Sequence, residues 1–360
     1  MTPRESEIME LIKKTPTITQ QEIADILDIK RSSVAVHINN LSKQGYILGR
    51  RYIVRAEPYI CVIGGANMDI IGYPEGEIIQ KDSNPGSIRR STGGVGHNIA
   101  VNLAKLGAYT SFITALGNDQ DGDILLQELK EIGIDVDHLY IMDKYPTSTY
   151  LAILNEHRDM EFAINDMKII EELTPKLIFK RKKRIENAEF AVLDTNLSHD
   201  TINYILKEIR QKYYVDCVSV HKAKKIESNL NRIYFLKCNK IEAEYLAGMT
   251  IDSIEDGYQV CDIIMRKGVE TLVVTMGDKG LIYSDMKHKE FLASDKVDVM
   301  NVSGAGDAFM AGYIYADFNG FSLDKKLKMA MAMSRHVLQT EETTIDAMAK
   351  NSIKKEMELC

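Results

Sequence analysis

The sequence predicts an α/β fold: a parallel-sheet sandwich flanked by helices, carrying a small β lid and preceded by a small helical head. Three observations lead there. From Tyr59 onward, apolar β-rich runs alternate with helical stretches, which argues for parallel strands with helices on both faces. Two Thr-, Tyr- and Ile-rich segments, about 71–91 and 139–166, disturb that alternation and suit a separate sheet packed over the main one. The charge also changes along the chain: residues 1–55 hold nine Lys/Arg against six Asp/Glu, so a head of +3 precedes a body of −10.

In the head, Thr19 and Glu22 form a capping box in which hydroxyl and carboxylate each satisfy an orphan backbone N–H. Ile23, Ile26 and Leu27 then fall on one face of a short helix. After a break at Asp28-Ile29-Lys30, Ser32 or Ser33 caps a second helix with Val34, Val36, Ile38 and Leu41 as apolar positions. Gly45 ends it, and Tyr46–Val54 reads as two short strands around a Gly49-Arg50-Arg51 tip. This order resembles a winged helix-turn-helix. The resemblance implies DNA binding, with the second helix in the major groove and a basic wing on phosphate. Arg31, Ser32, Ser33, His37 and Asn40 become candidates for base or backbone contact, and Arg50 and Arg51 for the wing. A helical protein-interaction appendage with solvated arginines is the alternative. One such module binds weakly, so two half-sites favour a homodimer.

In the body, the expected strands are Ile60–Ile63, Thr110–Thr114, Phe190–Leu193, Tyr213–Val215, Ile233–Leu236, Leu272–Thr275 and Gly280–Tyr283. The expected helices between them are Gly96–Leu106, Asp123–Ile132, Asp200–Lys212 and Ile254–Lys267. The domains expected are 1–55 for the head and 58–360 for the body. Open α/β sheets bind ligands beyond the carboxyl ends of their strands, so the chemistry is sought there.

The bulk composition narrows the function classes. The 360 residues, 45% hydrophobic and 27% charged, are ordinary for a globular chain and can bury a large core. No apolar run approaches the ~18 residues of a membrane span, and the N-terminus is polar rather than leader-like. The five cysteines are scattered and form no C-x-x-C pair, which suits a reducing cytosol and argues against a zinc site or disulfide framework. A cytoplasmic protein with no membrane partner is expected.

Neither G-x-x-x-x-G-K-[ST] nor a strand-following G-x-G-x-x-G occurs, which argues against a P-loop or an ordinary dinucleotide site. Three other glycine-rich places remain: Gly64-Gly65-Ala66-Asn67-Met68-Asp69, "STGGVGHNIAVNLAKLG" (Ser91–Gly107), and Ser303-Gly304-Ala305-Gly306-Asp307. Singly, each is a strand-end turn. Together, in this order within one α/β domain, they are more specific.

These motifs, with "CNKIEAEYLAG" (Cys238–Gly248) and "VVTMGDKGLIYS" (Val273–Ser284), resemble the ribokinase-like, PfkB-type family of sugar and nucleoside kinases over residues 58–345. The resemblance implies ATP and Mg²⁺ as cofactors. It makes Asp307 the general base, and the N–H groups of Gly304, Ala305 and Gly306 the anion hole for the transferring phosphoryl group. Asn239 and Glu242 of its N-x-x-E would organise Mg²⁺ through water, and Asn239, Thr275, Gly277 and Gly280 would bind ATP. Asn67, Asp69, Gly93, Gly94 and Asn98 would meet the hydroxyls of the acceptor.

Within the family, "NPGSIRRSTGGVGHNIAVNLAKLG", "TSTYLAILNEHRDMEFAINDM", "VDCVSVHKAKKI" and "LQTEETT" resemble the pseudouridine kinase branch. That branch implies transfer to the 5′-hydroxyl of pseudouridine, with Thr149 and Asp166 as lid residues near the nucleoside; Asp166 equally suits a turn cap. There are departures from the family pattern. Val95 stands where many sugar kinases have Lys. His97 replaces the branch's more frequent Arg, and a surface helix residue is its plain reading. Asn301 replaces an Asp tied to a monovalent-cation site, which puts a K⁺ requirement in doubt. A transcriptional regulator using the kinase fold as a nucleoside or sugar sensor is the alternative from another class, and a kinase for another nucleoside or sugar is the alternative among enzymes.

Overall fold

The chain divides at Pro58: a computed structural model, which describes residues 1–16, 18–47 and 58–358, separates Met1–Pro58 from Tyr59–Cys360. In the first unit, α1 (Pro3–Lys14) opens on a capping box between Thr2 and Glu5, with Pro3 in its first turn. Helix α2 (Gln20–Leu27) opens on the expected box: Thr19 N–H donates to Glu22 Oε2 at 2.6 Å, and Glu22 N–H to Thr19 Oγ1 at 3.2 Å. Helix α3 (Arg31–Lys43) corrects the expected cap. Lys30 is its N-cap, no side chain caps it, and Ser32 and Ser33 lie exposed in its first turn.

Ile8, Ile12, Ile23, Val34, Ile38 and Leu41 form the core of this unit. Ile26 and Val36, expected inside, are exposed. Val36 is two residues from both Val34 and Ile38, and at 3.6 residues per turn that places it on the opposite side of the helix. The expected wing tip, with Arg50 and Arg51, lies outside the described residues.

The second unit begins with β1 (Ile60–Ile63), β2 (Asn67–Pro74), β3 (Gly86–Gly93), α4 (Val95–Leu106), β4 (Thr110–Ile113), β5 (Ala115–Gly117), α5 (Gln120–Glu131) and β6 (Tyr140–Met142). It continues through β7 (Thr149–Leu154), β8 (Met160–Asp166), α6 (Lys168–Glu171), α7 (Pro175–Glu186), β9 (Phe190–Asp194), α8 (His199–Glu208), β10 (Tyr213–Asp216) and α9 (Val220–Ala223). Then follow β11 (Phe235–Asn239), α10 (Lys240–Ala247), α11 (Ile254–Arg266), β12 (Thr271–Thr275), β13 (Gly280–Asp285) and β14 (Lys289–Ala293). The chain closes with α12 (Ala305–Phe318), α13 (Leu323–Leu338) and α14 (Ala347–Glu358).

Eight strands form one sheet in the order β14-β13-β12-β11-β10-β9-β1-β4. Neighbours from β12 to β4 pair in parallel, while β13 and β14 run antiparallel, so the sheet is mixed rather than purely parallel. The reason is local. Only Met276 and the turn Gly277–Lys279 separate β12 from β13, which is enough for a hairpin but not for a crossover helix. Strand side chains alternate between two apolar layers. Val62, Val192 and Tyr214 pack with α4, α12 and α13, whereas Cys61, Ile63, Ala191, Leu193 and Val215 pack with α8, α10 and α11. Burial on both faces explains why these strands read as unbroken apolar runs. Each fully buried Ile or Leu contributes roughly 1.5–3 kcal/mol of transfer free energy.

A second sheet has the order β3-β2-β7-β8. It begins at Asn67, earlier than the segment expected, and Tyr140–Met142 pairs instead with Ala115–Gly117. Its pleat puts Asp69, Ile71, Arg89, Tyr150 and Ala152 on one face. Ile70, Ile88, Leu151, Ile153, Phe162 and Ile164 lie on the other, where Ile88, Phe162 and Ile164 are 75%, 52% and 63% exposed. Among the described residues, no helix is long and apolar enough to cross a membrane.

Candidate active site

The carboxyl ends of β9, β10 and β11 and the amino ends of α4 and α12 converge on one carboxylate, Asp307. Gly304 is the N-cap of α12, at φ 79°, a left-handed conformation that a side chain disfavours. A methyl group there would also meet the Thr343 backbone. The first backbone bond of the helix runs from Ala308 N–H to Gly304 O, so the N–H groups before it have no partner within the helix. Gly304, Ala305 and Gly306 are half-buried, and N–H groups without a partner at a helix start suit an anion.

Asp307 is only 8% exposed, and burial raises its proton affinity, with pKa about 7. The negative charge of Asp216 adds to the rise, while Lys237 and a 2.9 Å hydrogen bond from Asn98 Nδ2 oppose it. Lys237 Nζ lies 2.8 Å from Asp216 Oδ2 and directly beneath the glycine turn, where a methyl on Gly306 would sit 2.5 Å from it. Burial alone would depress this lysine, but Asp216, Asp307 and Glu242 overcome that and hold it above the usual range. Asp216 is itself held by Val218, whose N–H donates to Oδ1 at 2.9 Å. Val218 has φ 60°, an uncommon conformation for a β-branched residue, stored at the edge of the site.

On the acceptor side, Asp194 ends β9 and ties two turns together. Its Oδ2 accepts from Gly65 N–H and Gly96 N–H, both at 2.8 Å, and burial raises its proton affinity. The bond fixes the β1–β2 turn against the start of α4, bringing Asn67, Asp69, Gly93 and Gly94 together. Asn67 Nδ2 donates to Asp69 Oδ1 at 2.5 Å, Asn67 pairs with Gly93 across β2–β3, and Gly94 is the N-cap of α4. Burial raises Asp69 above the usual carboxylate range, partly offset by the Asn67 bond. Asn98, also at this end of α4, spends one amide hydrogen on Asp307, so it serves the carboxylate as well as any acceptor hydroxyl.

On the other side, Asn239 and Thr275 are register neighbours at the carboxyl ends of β11 and β12. Gly277 and Gly280 bound the turn that follows, at φ 64° and 123°. Asn239 and Glu242 form a capping box on α10: Glu242 N–H donates to Asn239 Oδ1 at 2.9 Å, and Asn239 N–H and Nδ2 donate to the two carboxylate oxygens at 2.8 Å each. Burial raises Glu242, with Asp216 adding to it. Among the described residues, no group of three or more His, Cys, Asp or Glu could hold a metal ion alone. The carboxylates of Asp216, Glu242 and Asp307 nevertheless all act on Lys237. That excess charge fits a hydrated Mg²⁺, which keeps most of its water and takes one or two carboxylates.

A strap after α13 closes over the glycine turn. Thr343 Oγ1 donates to Asn98 Oδ1 at 3.2 Å, Ile345 N–H to Asn102 Oδ1 at 2.9 Å, and Asn301 Nδ2 to Glu341 O at 3.2 Å. Arg89 on the small sheet reaches the same strap through Glu341 and Glu342, both at 2.7 Å.

Both expected lid residues lie in the small sheet. Thr149 and Asp166 are register partners across β7–β8, but the pleat puts them on the face opposite Asp69. Asp166 is exposed and accepts from Lys168 N–H at 3.5 Å, closing a turn. Tyr150, the next residue, is the one on the Asp69 face. His97, read as a surface residue, is buried, with its ring between Asn98 and Glu128.

Arg31, Ser32 and Ser33 are exposed on α3. Asn40 is half-buried, as is His37, whose Nδ1 lies 3.9 Å from Glu5 Oε1 on α1. Sequence reading missed Asp194, Asp216, Lys237, Tyr150 and Thr343. One signal was available for the two aspartates: each closes an otherwise apolar strand, FAVLD and YYVD.

Residues 57–350 match the family model for pfkB family carbohydrate kinases, and residues 1–47 match that for winged helix-turn-helix DNA-binding domains. The chain is 36% identical over 334 residues to "Uncharacterized sugar kinase YeiI" of Escherichia coli (strain K12), covering 92% of each chain. It is also 36% identical over 292 residues to the pseudouridine kinase of the same organism, covering 81% of this chain and 93% of that one. The crystal structure of a putative sugar kinase from Clostridium perfringens superposes with a TM-score of 0.75 at 33% identity, covering 84% of this chain and 96% of that one.

Proposed function

The chain belongs to the pfkB family of carbohydrate kinases, and on that footing we propose that it phosphorylates the 5′-hydroxyl of a nucleoside, pseudouridine before others. It is an ATP-dependent phosphotransferase with a sugar or nucleoside acceptor, and ATP with Mg²⁺ is the family-level expectation. The observation that supports phosphoryl transfer at this site is Asp307, a buried carboxylate of raised proton affinity in the first turn of α12.

Asp307 takes the proton of the attacking hydroxyl; a group that titrates near 7 is well matched to that task. The N–H groups of Ala305 and Gly306, with Gly304 shaping the turn, receive the charge that builds on the transferring phosphoryl group. Lys237 adds a positive charge beneath them. Asn67, Asp69, Gly93, Gly94 and Asn98 hold the acceptor hydroxyls, and Thr275, Gly277, Gly280 and Asn239 border the nucleotide. Asn239 and Glu242 satisfy each other, so they would hold Mg²⁺ through water, and the metal would supply positive charge to the phosphates. The substrate preference rests on identity to the pseudouridine kinase.

ADP release with Mg-ATP, measured across pseudouridine, uridine, adenosine, inosine, ribose and fructose, tests this reading. Turnover of pseudouridine that is lost in Asp307→Asn supports it; turnover of ribose or fructose alone rejects the nucleoside.

The match of residues 1–47 favours a second role, DNA binding through α3, with Arg31, Ser32 and Ser33 as its exposed residues. Two half-sites then call for a homodimer. Footprinting with and without pseudouridine separates a nucleoside-responsive regulator from a kinase with an uncoupled head: equal affinity in both conditions rejects coupling.

A further inference from the structure

His97 is the least expected buried group near the site, 1% exposed in the first turn of α4. Its Nδ1 lies 3.2 Å from Asn98 Oδ1, and its Nε2 lies 3.3 Å from Glu128 Oε2 on α5. Each ring nitrogen therefore faces an oxygen, and because a neutral imidazole carries a single N–H, donating to both at once takes the imidazolium form; the backbone N–H of His97 is anchored to Gly65 O at 3.0 Å. The amide of Asn98 has two possible orientations. With its oxygen toward Asp307, two acceptors would confront each other; with its nitrogen there, Asn98 donates at 2.9 Å. Only the second orientation leaves Oδ1 to receive Nδ1–H of His97 and the Thr343 hydroxyl.

We propose that His97, braced by Glu128, is a positioning residue that locks the Asn98 amide with its N–H toward Asp307. The chain Glu128–His97–Asn98–Asp307 links α5, α4 and α12 and ends on the carboxylate that receives the proton. The ring acts only through Asn98. This rests on the reading of Asp307 as the base.

The two ring nitrogens are separable by substitution. An asparagine at 97 places a donor near the Nδ1 position but cannot reach Glu128; a glutamine reaches Glu128 but leaves Asn98 without its donor. With pseudouridine and Mg-ATP, His97→Asn is expected to keep kcat within about twofold. His97→Gln and His97→Leu are expected to lose about tenfold in kcat with KM for ATP unchanged. His97→Leu added to Asn98→Ala is expected to cost nothing further. Losses confined to KM, a fully active His97→Gln beside a crippled His97→Asn, or additive losses with Asn98→Ala would each overturn the proposal.

A crystal structure of His97→Leu gives a readout independent of turnover. Asn98 Nδ2 should leave Asp307, and its staying within hydrogen-bond distance overturns the proposal. If that variant does not fold, a crystal structure of His97→Gln carries the same test, since it too leaves Asn98 without its donor. Asp307→Asn is the control: full activity there sinks the base reading alone, and His97 is then judged on the crystal structure.

Discussion

At the scale of single residues, the burial of Asp307 sets a pH dependence with a definite sign. Its carboxyl titrates near 7, so as pH falls through that value the base is protonated, and kcat/KM for the acceptor should drop about tenfold per unit below it. Stability runs the other way. A carboxyl whose folded pKa is raised binds its proton more tightly in the native state, so its contribution is present below about pH 4 and is lost as pH rises through about 7. Asp307→Asn should therefore raise Tm more at pH 8 than at pH 5, even as it removes activity. An equal effect of the substitution at both pH values would show that the carboxyl is not raised. Gly306 tests the cation below: Gly306→Ala puts a methyl 2.5 Å from Lys237 Nζ and should lower kcat by about tenfold or more. Unchanged turnover would mean that the placement of Lys237 is immaterial.

At the scale of elements, the strap after α13 and the loop before α12 are joined by neutral groups. Asn301 Oδ1 accepts from Ser303 N–H at 2.9 Å, and its Nδ2 donates to Glu341 O. An amide that already bridges the two loops offers no negative charge to a monovalent cation. Replacing K⁺ with tetramethylammonium should leave kcat within about twofold, and strong activation on restoring K⁺ would reject this. Much of this scale was legible beforehand. The apolar runs from Ile60 to Tyr283 became strands because burial on two faces demands continuous hydrophobicity. The direction of β13 was not legible from the same runs, since the same alternation suits either direction; the short turn decided it. The face carrying Thr149 depended on register, which a one-residue shift inverts.

At the scale of the whole molecule, the outer face of the small sheet exposes Ile88, Phe162 and Ile164 beside Ile70, Leu151 and Ile153, an apolar surface with Arg90 and Asp166 on its two edge strands. A homodimer of the chain, as two DNA half-sites would require, would have this face available for burial between two copies. Sedimentation velocity should find a dimer at micromolar concentration, and Phe162→Lys with Ile164→Lys should give a folded monomer. A monomeric wild type, or a variant that stays dimeric, rejects this face.

The sequence by itself determined the alternation of strands and helices, the Thr19–Glu22 cap and the three glycine-rich strand ends, because each depends on neighbours a few residues away. The strand-end motifs also placed Asp307, Asn98 and Asn239 in one domain before any contact was known. Only the tertiary structure decided that Lys237 sits under Gly306, that Asp194 ties Gly65 to Gly96, and that His97 turns inward to Asn98 and Glu128. Those contacts join residues tens of positions apart or more, or depend on which way a side chain points in the packed interior. Their energies come from burial and from charges that meet only once the sheet and its helices have assembled.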